Sequence, residues 1–360
     1  MPMPSTVRSH TAPRILRASG VVPGGFDRAA STMALGPLLE EFGVDLASIL
    51  AESGLPAGLF DHPDNLIPYR DSSRLLDLCA ARTGCAHLGL LIGNATSMDA
   101  LGIVAELTRF SADVRSALLM LCRFLTLSDG GGQLALSETP RHASFSYMIY
   151  EPGIDDIRIV TDIVLAESCN ALRELCGDTW SPTEVRFSYR PPVDLQPYVD
   201  TFNAPLRFDV EQSAVVFDRH WLDQALASTN AVKLKTIVAQ ARALEARETG
   251  DLVAQVRRIL RRRLLLGNVS MQRVASELGM HRRSLDRKLQ AHDATFKGLS
   301  DEVRHEVARH LLINTDMPIQ SIAHSLQYAD SSAFNIAFRR WSGTTPTRWR
   351  HSNRVSPAGH

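Results

Sequence analysis

Apolar residues recur at helical spacing through the first third of the chain. Leu35, Leu38, Leu39 and Phe42 fall on one helical face, and Leu46, Ile49 and Leu50 repeat the pattern. Segments 74–81 and 99–107 continue it, and 113–127 reads as one longer, mostly buried helix. The period then changes from helix to strand. Residues 133–136 and 144–150 alternate, directly after Gly130-Gly131-Gly132, which predicts a hairpin turning across Glu138 to Arg141. A long amphipathic helix is expected over 155–176, with further strands over 185–189 and 214–217. The first 227 residues thus predict an α+β unit with a small, mostly antiparallel sheet.

From 231 onward the pattern is helical throughout. A polar helix over 231–247 is broken by Glu248-Thr249-Gly250-Asp251, which sets a domain boundary near 249. The next helix, 252–266, packs through Val256, Ile259 and Leu260 and carries Arg257, Arg258, Arg261, Arg262 and Arg263. Those arginines either touch phosphate or form a solvated face. Ser270 is placed to cap a short helix whose inner face is Val274, Ala275 and Leu278. Gly279 ends it, and a second helix follows with Leu285 and Leu289 inside and Arg282, Arg283, Asp286 and Arg287 outside. A short helix, a tight turn and a basic-faced second helix make a helix-turn-helix, whose second helix enters a major groove. Arginine suits that face because its fork matches the two acceptors of guanine.

The arrangement recurs downstream. Ile319, Ile322, Ala323 and Leu326 line a first helix, the chain turns at Gln327-Tyr328-Ala329, and Asp330 opens a second. Phe334, Ala337, Phe338 and Trp341 point inward there; Ser331, Ser332, Asn335, Ile336 and Arg339 point outward. A helix over 301–312, with Val303, Val307, Leu311 and Leu312, joins the units. It can hold both recognition helices in successive major grooves, ~34 Å apart. The fold class is therefore an α+β N-terminal domain followed by an all-α domain with two helix-turn-helix units joined by a long helix.

Charge sharpens this picture. The chain is neutral overall, but residues 251–360 hold 18 Lys+Arg against 9 Asp+Glu, and the rest hold 21 against 30. A basic tail on an acidic body points to a polyanion partner. The cysteines, Cys79, Cys85, Cys122, Cys169 and Cys176, form no CxxC pair and suggest a reduced, cytoplasmic chain without disulfide frame or zinc site. No apolar run reaches membrane-spanning length, since 117–127 is interrupted by Arg123. The start, rich in Pro, Ser, Gly and Arg, reads as disordered.

With these residues in place, 252–350 resembles the DNA-binding domain of the AraC/XylS family of bacterial regulators. Its signature is met by Ile319, Ile322-Ala323, Ser332-x-Phe334, Phe338-Arg339-Arg340-Trp341, Gly343-x-x-Pro346 and Arg350. Leu278-Gly279-Met280 and Arg283-Ser284-Leu285-x-Arg287 match the first unit. Three positions depart. Gln327 replaces the usual turn glycine, His281 stands where a capping serine is common, and Ile336 where an arginine is common. Residues 31–220 resemble, less specifically, the family's arabinose-binding-type regulatory domain, through helix order and the segments Pro68-Tyr69 and Tyr189-Arg190-Pro191-Pro192. The resemblance implies an effector-responsive activator that binds promoter DNA, acts on RNA polymerase, takes a small-molecule effector and pairs as a homodimer.

The expected organisation is a disordered 1–28, an effector-binding domain over 29–228, a helical linker over 229–250, the DNA-binding domain over 251–352 and a flexible tail over 353–360. Phe145, Tyr147, Phe187 and Tyr189 are the candidate effector-pocket residues, with ordinary core as the other reading. No cofactor and no membrane partner is expected. An enzyme is the first rival, but His62, His87 and His142 are scattered, without nucleophile elbow, P-loop or ligand cluster. A repair methyl acceptor would need a zinc-binding cysteine cluster. A purely architectural DNA binder would not need the large folded first domain.

Overall fold

The computed structural model describes residues 15–151, 154, 156–248 and 252–353. The boundary expected near 249 therefore lies outside the described residues, as do residues 1–14 of the expected disordered start and 354–360 of the expected tail. In chain order the strands are β1 (Leu16–Arg17), β2 (Phe26–Arg28), β3 (Asn65–Pro68), β4 (Gly132–Glu138), β5 (His142–Ile149), β6 (Glu184–Arg186), β7 (Leu206–Arg207) and β8 (Ser213–Asp218). The N-terminal helices are α1 (Leu35–Glu41), α2 (Leu46–Glu52), α3 (Tyr69–Thr83), α4 (Leu88–Ala95), α5 (Ile103–Arg109), α6 (Val114–Phe124), α7 (Arg158–Cys176), α8 (Gln196–Phe202) and α9 (Ala231–Glu248). The C-terminal ones are α10 (Leu252–Leu265), α11 (Met271–Glu277), α12 (Arg282–Gln290), α13 (Phe296–Asn314), α14 (Ile319–Ser325), α15 (Ser331–Ser342) and α16 (Pro346–Asn353).

The N-terminal unit holds two sheets. A five-stranded sheet runs β4-β5-β8-β6-β7, antiparallel except for the β6–β7 pair. Its central register sets Phe145 opposite Val215 and Tyr147 opposite Ser213. The long helix α7 covers one face of this sheet and buries Leu165, Cys169 and Leu172 in its core. The second sheet corrects two expectations. Residues 15–28, expected to be disordered, supply β1 and β2, which pair on either side of β3. β3 itself lies inside the stretch read as uniformly helical. Both pairings join residues some forty or fifty positions apart, which local composition does not report. The helix expected over 99–107 is also shorter, because Gly102 breaks it at φ 59° before α5 begins.

The helix α9 is more than a linker. Ile237 and Ala241 are buried in the N-terminal core. Its Glu245 carboxylate is enclosed and accepts from both guanidinium nitrogens of Arg123, at 2.6 and 2.8 Å, and from Arg258 on α10 at 3.3 Å. One carboxylate therefore ties α6, α9 and α10 together, across the expected boundary.

The C-terminal unit docks directly on this body. Tyr150 is fully buried in the C-terminal core, donates its hydroxyl to Arg261 O at 2.9 Å and lies under the Arg261 guanidinium at 4.9 Å. On the far side, the Arg190 N–H donates to Asn314 O and its guanidinium to Ile313 O, both at 2.9 Å. The Asp316 N–H donates to Asp209 Oδ1 at 2.8 Å. The contacts fall on α10 and on the C-terminal end of α13, so the helix that joins the two C-terminal units is braced there by the N-terminal one.

Candidate nucleic-acid interface and regulatory cavity

Two helix-turn-helix units are built on α11–α12 and α14–α15, with α13 between them. In the first, the Ser270 hydroxyl accepts from the Arg273 N–H at 3.3 Å and caps α11. Val274 and Ala275 are fully buried, and so are Leu285 and Leu289 on α12. That packing leaves Arg282, Arg283, Asp286, Arg287 and Lys288 exposed on the opposite face. His281 stands at the α12 N-cap without a side-chain hydrogen bond, so that end lacks the cap a serine would give.

In the second unit, Asp330 caps α15 by accepting from the Ala333 N–H at 2.8 Å. Phe334 and Phe338 are fully buried, and Trp341 is half-buried. Ser332, Ile336 and Arg339 are exposed, Ile336 at 72%, while Ser331 and Asn335 are half-buried. The Asn335 side chain donates to Ser331 O of its own helix at 2.8 Å, so its amide is partly engaged before any base is met. Gln327 takes the left-handed conformation, φ 64°, almost the same as Gly279 at φ 63° in the first unit. A left-handed residue with a Cβ costs ~1–2 kcal/mol, and glycine's extra unfolded-chain freedom offsets ~0.5–1 of that. Gln327→Gly is therefore expected to stabilise the chain by up to about 1 kcal/mol. A chemical denaturation midpoint checks this, and a lower midpoint would show that the Gln327 side chain earns its place by contacts.

The arginines of α10 follow neither sequence expectation. They point at carboxylates: Arg257 at Glu302, Arg258 at Glu245, Arg261 at Glu306, and Arg262 and Arg263 at Glu277. The contrast with the recognition helices is the informative feature. Among the described residues, Arg282, Arg283, Arg287 and Arg339 have no acidic partner. Their charge is free to meet a polyanion, whereas that of α10 is neutralised within the fold.

The N-terminal unit contains a cavity of about 100 Å³, several times the ~10–15 Å³ one water needs. Phe145 and Tyr147 line it. Phe187 and Tyr189, expected beside them, do not. Phe187 stacks on Phe208 at 4.5 Å within an aromatic core that includes Tyr198 and Phe202. Tyr189 donates its hydroxyl to buried Asp162, as Tyr198 does at 2.7 Å. Burial pushes the Asp162 carboxyl up to about 7, against the pull of those two hydrogen bonds. Both rings are buried, as alternation implied, but β6 ends at Arg186, before either of them, and the segment that follows packs them away from the cavity.

Polar groups that were not among the candidate pocket residues share the cavity wall: Asp27, Tyr69, Asp129 and Glu167. The Tyr69 and Tyr147 hydroxyls meet at 3.0 Å, and Tyr147 donates on to Asp129 Oδ2 at 3.0 Å. Asp129 Oδ1 accepts from the N–H groups of Gly131 and Gly132 at 2.7 and 2.9 Å. The glycines are required here: a Cβ on Gly131 would come within 2.5 Å of the Tyr69 ring, and one on Gly132 would overlap the Tyr147 hydroxyl. The glycine run is thus a second local mark of this site, beside the alternation that pointed to Phe145 and Tyr147.

A helix-turn-helix pair with free basic faces, docked on an α+β body with an internal cavity, defines a DNA-binding transcription regulator with a ligand-binding domain. The comparisons make this specific. The family model described as the arabinose-binding domain of AraC transcription regulators matches residues 43–226, and a helix-turn-helix domain model matches 274–352. The chain belongs to the AraC family of transcription regulators. It is 26% identical to the ornithine utilization regulator of Pseudomonas aeruginosa over 89% of this chain and 94% of that protein. It is 25% identical to the transcriptional regulator VirS of Mycobacterium tuberculosis over 92% of this chain and 98% of that protein. The crystal structure of the transcriptional regulator CdpR from Pseudomonas aeruginosa aligns at 21% identity, covering 84% of this chain and 96% of that one, with TM-score 0.42. No single helix among the described residues is long and apolar enough to cross a membrane.

Proposed function

We propose that the chain is an effector-responsive activator that reads two successive major-groove segments of promoter DNA through α12 and α15. The observation that carries this reading is the set of unpaired arginines on the two recognition helices, set against the paired arginines of α10. Arg282, Arg283, Asp286 and Arg287 form the first reading face, and Ser331, Ser332, Asn335, Ile336 and Arg339 the second. The proposal includes a homodimer, because one chain's two short reading faces give limited specificity, and RNA polymerase as the complex on which the bound activator acts. The cavity supports a sensor over an architectural protein, since bending DNA requires none.

The test is a salt titration of full-length chain on promoter fragments from its own genome. Each phosphate neutralised should add ~0.9 to the slope of log K against log salt, giving a steep fall in affinity. Affinity indifferent to salt would overturn the DNA-reading proposal. Sedimentation at micromolar concentration, with and without DNA, tests the dimer separately, and a monomer under both conditions would refute it.

A further inference from the structure

The cavity wall is chemically lopsided. Asp27 from β2, Asp129 from the loop before β4 and Glu167 from α7 all line it, and they come from segments far apart in sequence. The cation that also lines it, Arg28, is engaged elsewhere: its guanidinium donates to Asp64 and to Ala100 O at 3.1 Å. Asp27 accepts from the Ser31 hydroxyl at 2.8 Å and from the Arg28 N–H at 2.8 Å, and the Arg28 charge, although paired with Asp64, offsets only part of its burial. Glu167 has no partner at all among the described residues. Glu167 is half-buried and lines the cavity. An acid in such a wall without donor or counterion favours its neutral form, because desolvation of the charge is uncompensated. Burial, reinforced by Asp27 and Asp129, pushes Glu167 up to about 8, and burial raises Asp27 and Asp129 as well. The rest of the wall is apolar, with Leu76, Leu121, Leu134, Phe145 and Ile163 among its members.

We propose that this cavity binds a small organic cation, an ammonium or guanidinium group carried on a short apolar body. The cationic head sits among Glu167, Asp129 and Asp27 and supplies the missing counter-charge. The body lies against the leucines and Phe145. Tyr69 and Tyr147 fix the head's orientation through the hydroxyl chain that ends on Asp129. A bound cation draws Glu167 into its ionised form and pairs it, whereas an anionic ligand would meet three acidic side chains and a neutral one would leave Glu167 without a partner. Strand β5 gives the site its outlet. Phe145 and Tyr147 face the cavity, while Met148 packs against the C-terminal core and Tyr150, just past the strand, is buried in it. The cation's role as effector rests on the reading of the chain as effector-responsive; its binding does not.

The experiment is a thermal-shift and calorimetric titration of the full chain. The probes are n-butylammonium and n-butylguanidinium, with n-butanol and butyrate as the neutral and anionic counterparts. The cations are expected to raise Tm saturably by mass action, and the counterparts to leave it unchanged. Glu167→Gln keeps the shape and removes only the charge, and it should weaken cation binding by about ten- to hundred-fold. Ala171→Leu, which fills the cavity wall with every carboxylate intact, should weaken binding too. A parental near-ultraviolet circular dichroism spectrum shows that the N-terminal unit of each variant is folded. The proposal is overturned if neither cation gives a saturable shift, if butanol or butyrate acts equally, or if Glu167→Gln binds as the parent does. Promoter affinity measured with and without n-butylammonium separates the two readings. Cation binding without any effect on DNA leaves the site standing and removes the effector role. A DNA response to butyrate alone removes the cation site and leaves effector control standing.

Discussion

Replacing Phe338 by alanine is expected to destabilise the C-terminal domain by about 3–5 kcal/mol, the usual cost of deleting a fully buried aromatic ring. Phe338 has no exposed surface, and its ring meets four others: Phe334 at 5.7 Å, Trp341 at 6.4 Å, Trp349 at 5.9 Å and His305 at 5.5 Å. These rings belong to α13, α15 and α16, so one side chain holds the second recognition helix to both its supports. Apposed rings add to the loss beyond their buried area. A typical domain has only ~5–15 kcal/mol in hand, so a large share of the second unit's stability disappears. Urea unfolding should show the lower midpoint, and DNA protection should be lost first over the half-site that α15 covers. A loss below about 1 kcal/mol would mean that the neighbouring rings collapse into the space, and the account of a ring cluster fixing α15 would fall. Trp341 and Trp349, whose indole N–H groups have no partner among the described residues, already sit less well satisfied in this cluster.

The recognition units were legible because everything that defines them is local. Caps such as Ser270 and Asp330, inner residues such as Leu285 and Phe334, and the turn at Gly279 lie within one helix pair and follow its period. Even the strain at Gln327 could be read, since the turn geometry it occupies is dictated by its neighbours. The cavity was not legible in this way. Its polar groups, Asp27, Tyr69, Asp129, Tyr147 and Glu167, come from five segments and meet only after two sheets and α7 are assembled. Asp27 lay in a segment whose composition suggested disorder, and its order depends on the pairing of β2 with β3. Phe145 and Phe187 show the same limit from the other side. Both are buried in alternating segments, Phe145 on β5 and Phe187 just past the end of β6, and only tertiary packing decides that one faces space and the other a stacked ring. The α10 arginines were ambiguous for the same reason, because the glutamates they meet sit on α9, α11 and α13.

The two reading faces are expected to contribute unequally to DNA sequence choice. Arg283 and Arg287 are one turn apart on the exposed side of α12, and the inner side is pinned by the buried leucines Leu285 and Leu289. An arginine so fixed can present both fork nitrogens to guanine, and a good bidentate contact discriminates by about 1–3 kcal/mol. On the first two turns of α15 the exposed positions, Ser332 and Ile336, are short or apolar, the Asn335 amide is turned onto its own backbone, and Ile336 can meet only a thymine methyl or exclude water. Arg339 lies two turns along that helix and is placed to reach phosphate. Arg340, its neighbour, is held by Asp301 at 2.6 Å and is less available. Selection from a randomised-site library should therefore separate the variants. Arg283→Ala and Arg287→Ala should each relax preference at particular base pairs. Arg339→Ala should weaken binding to all sequences alike and lower the salt slope by about 1, as the loss of one phosphate contact does. Uniform weakening by all three variants would show that α12 also touches only the backbone, and the base-reading role would then have to move to α15.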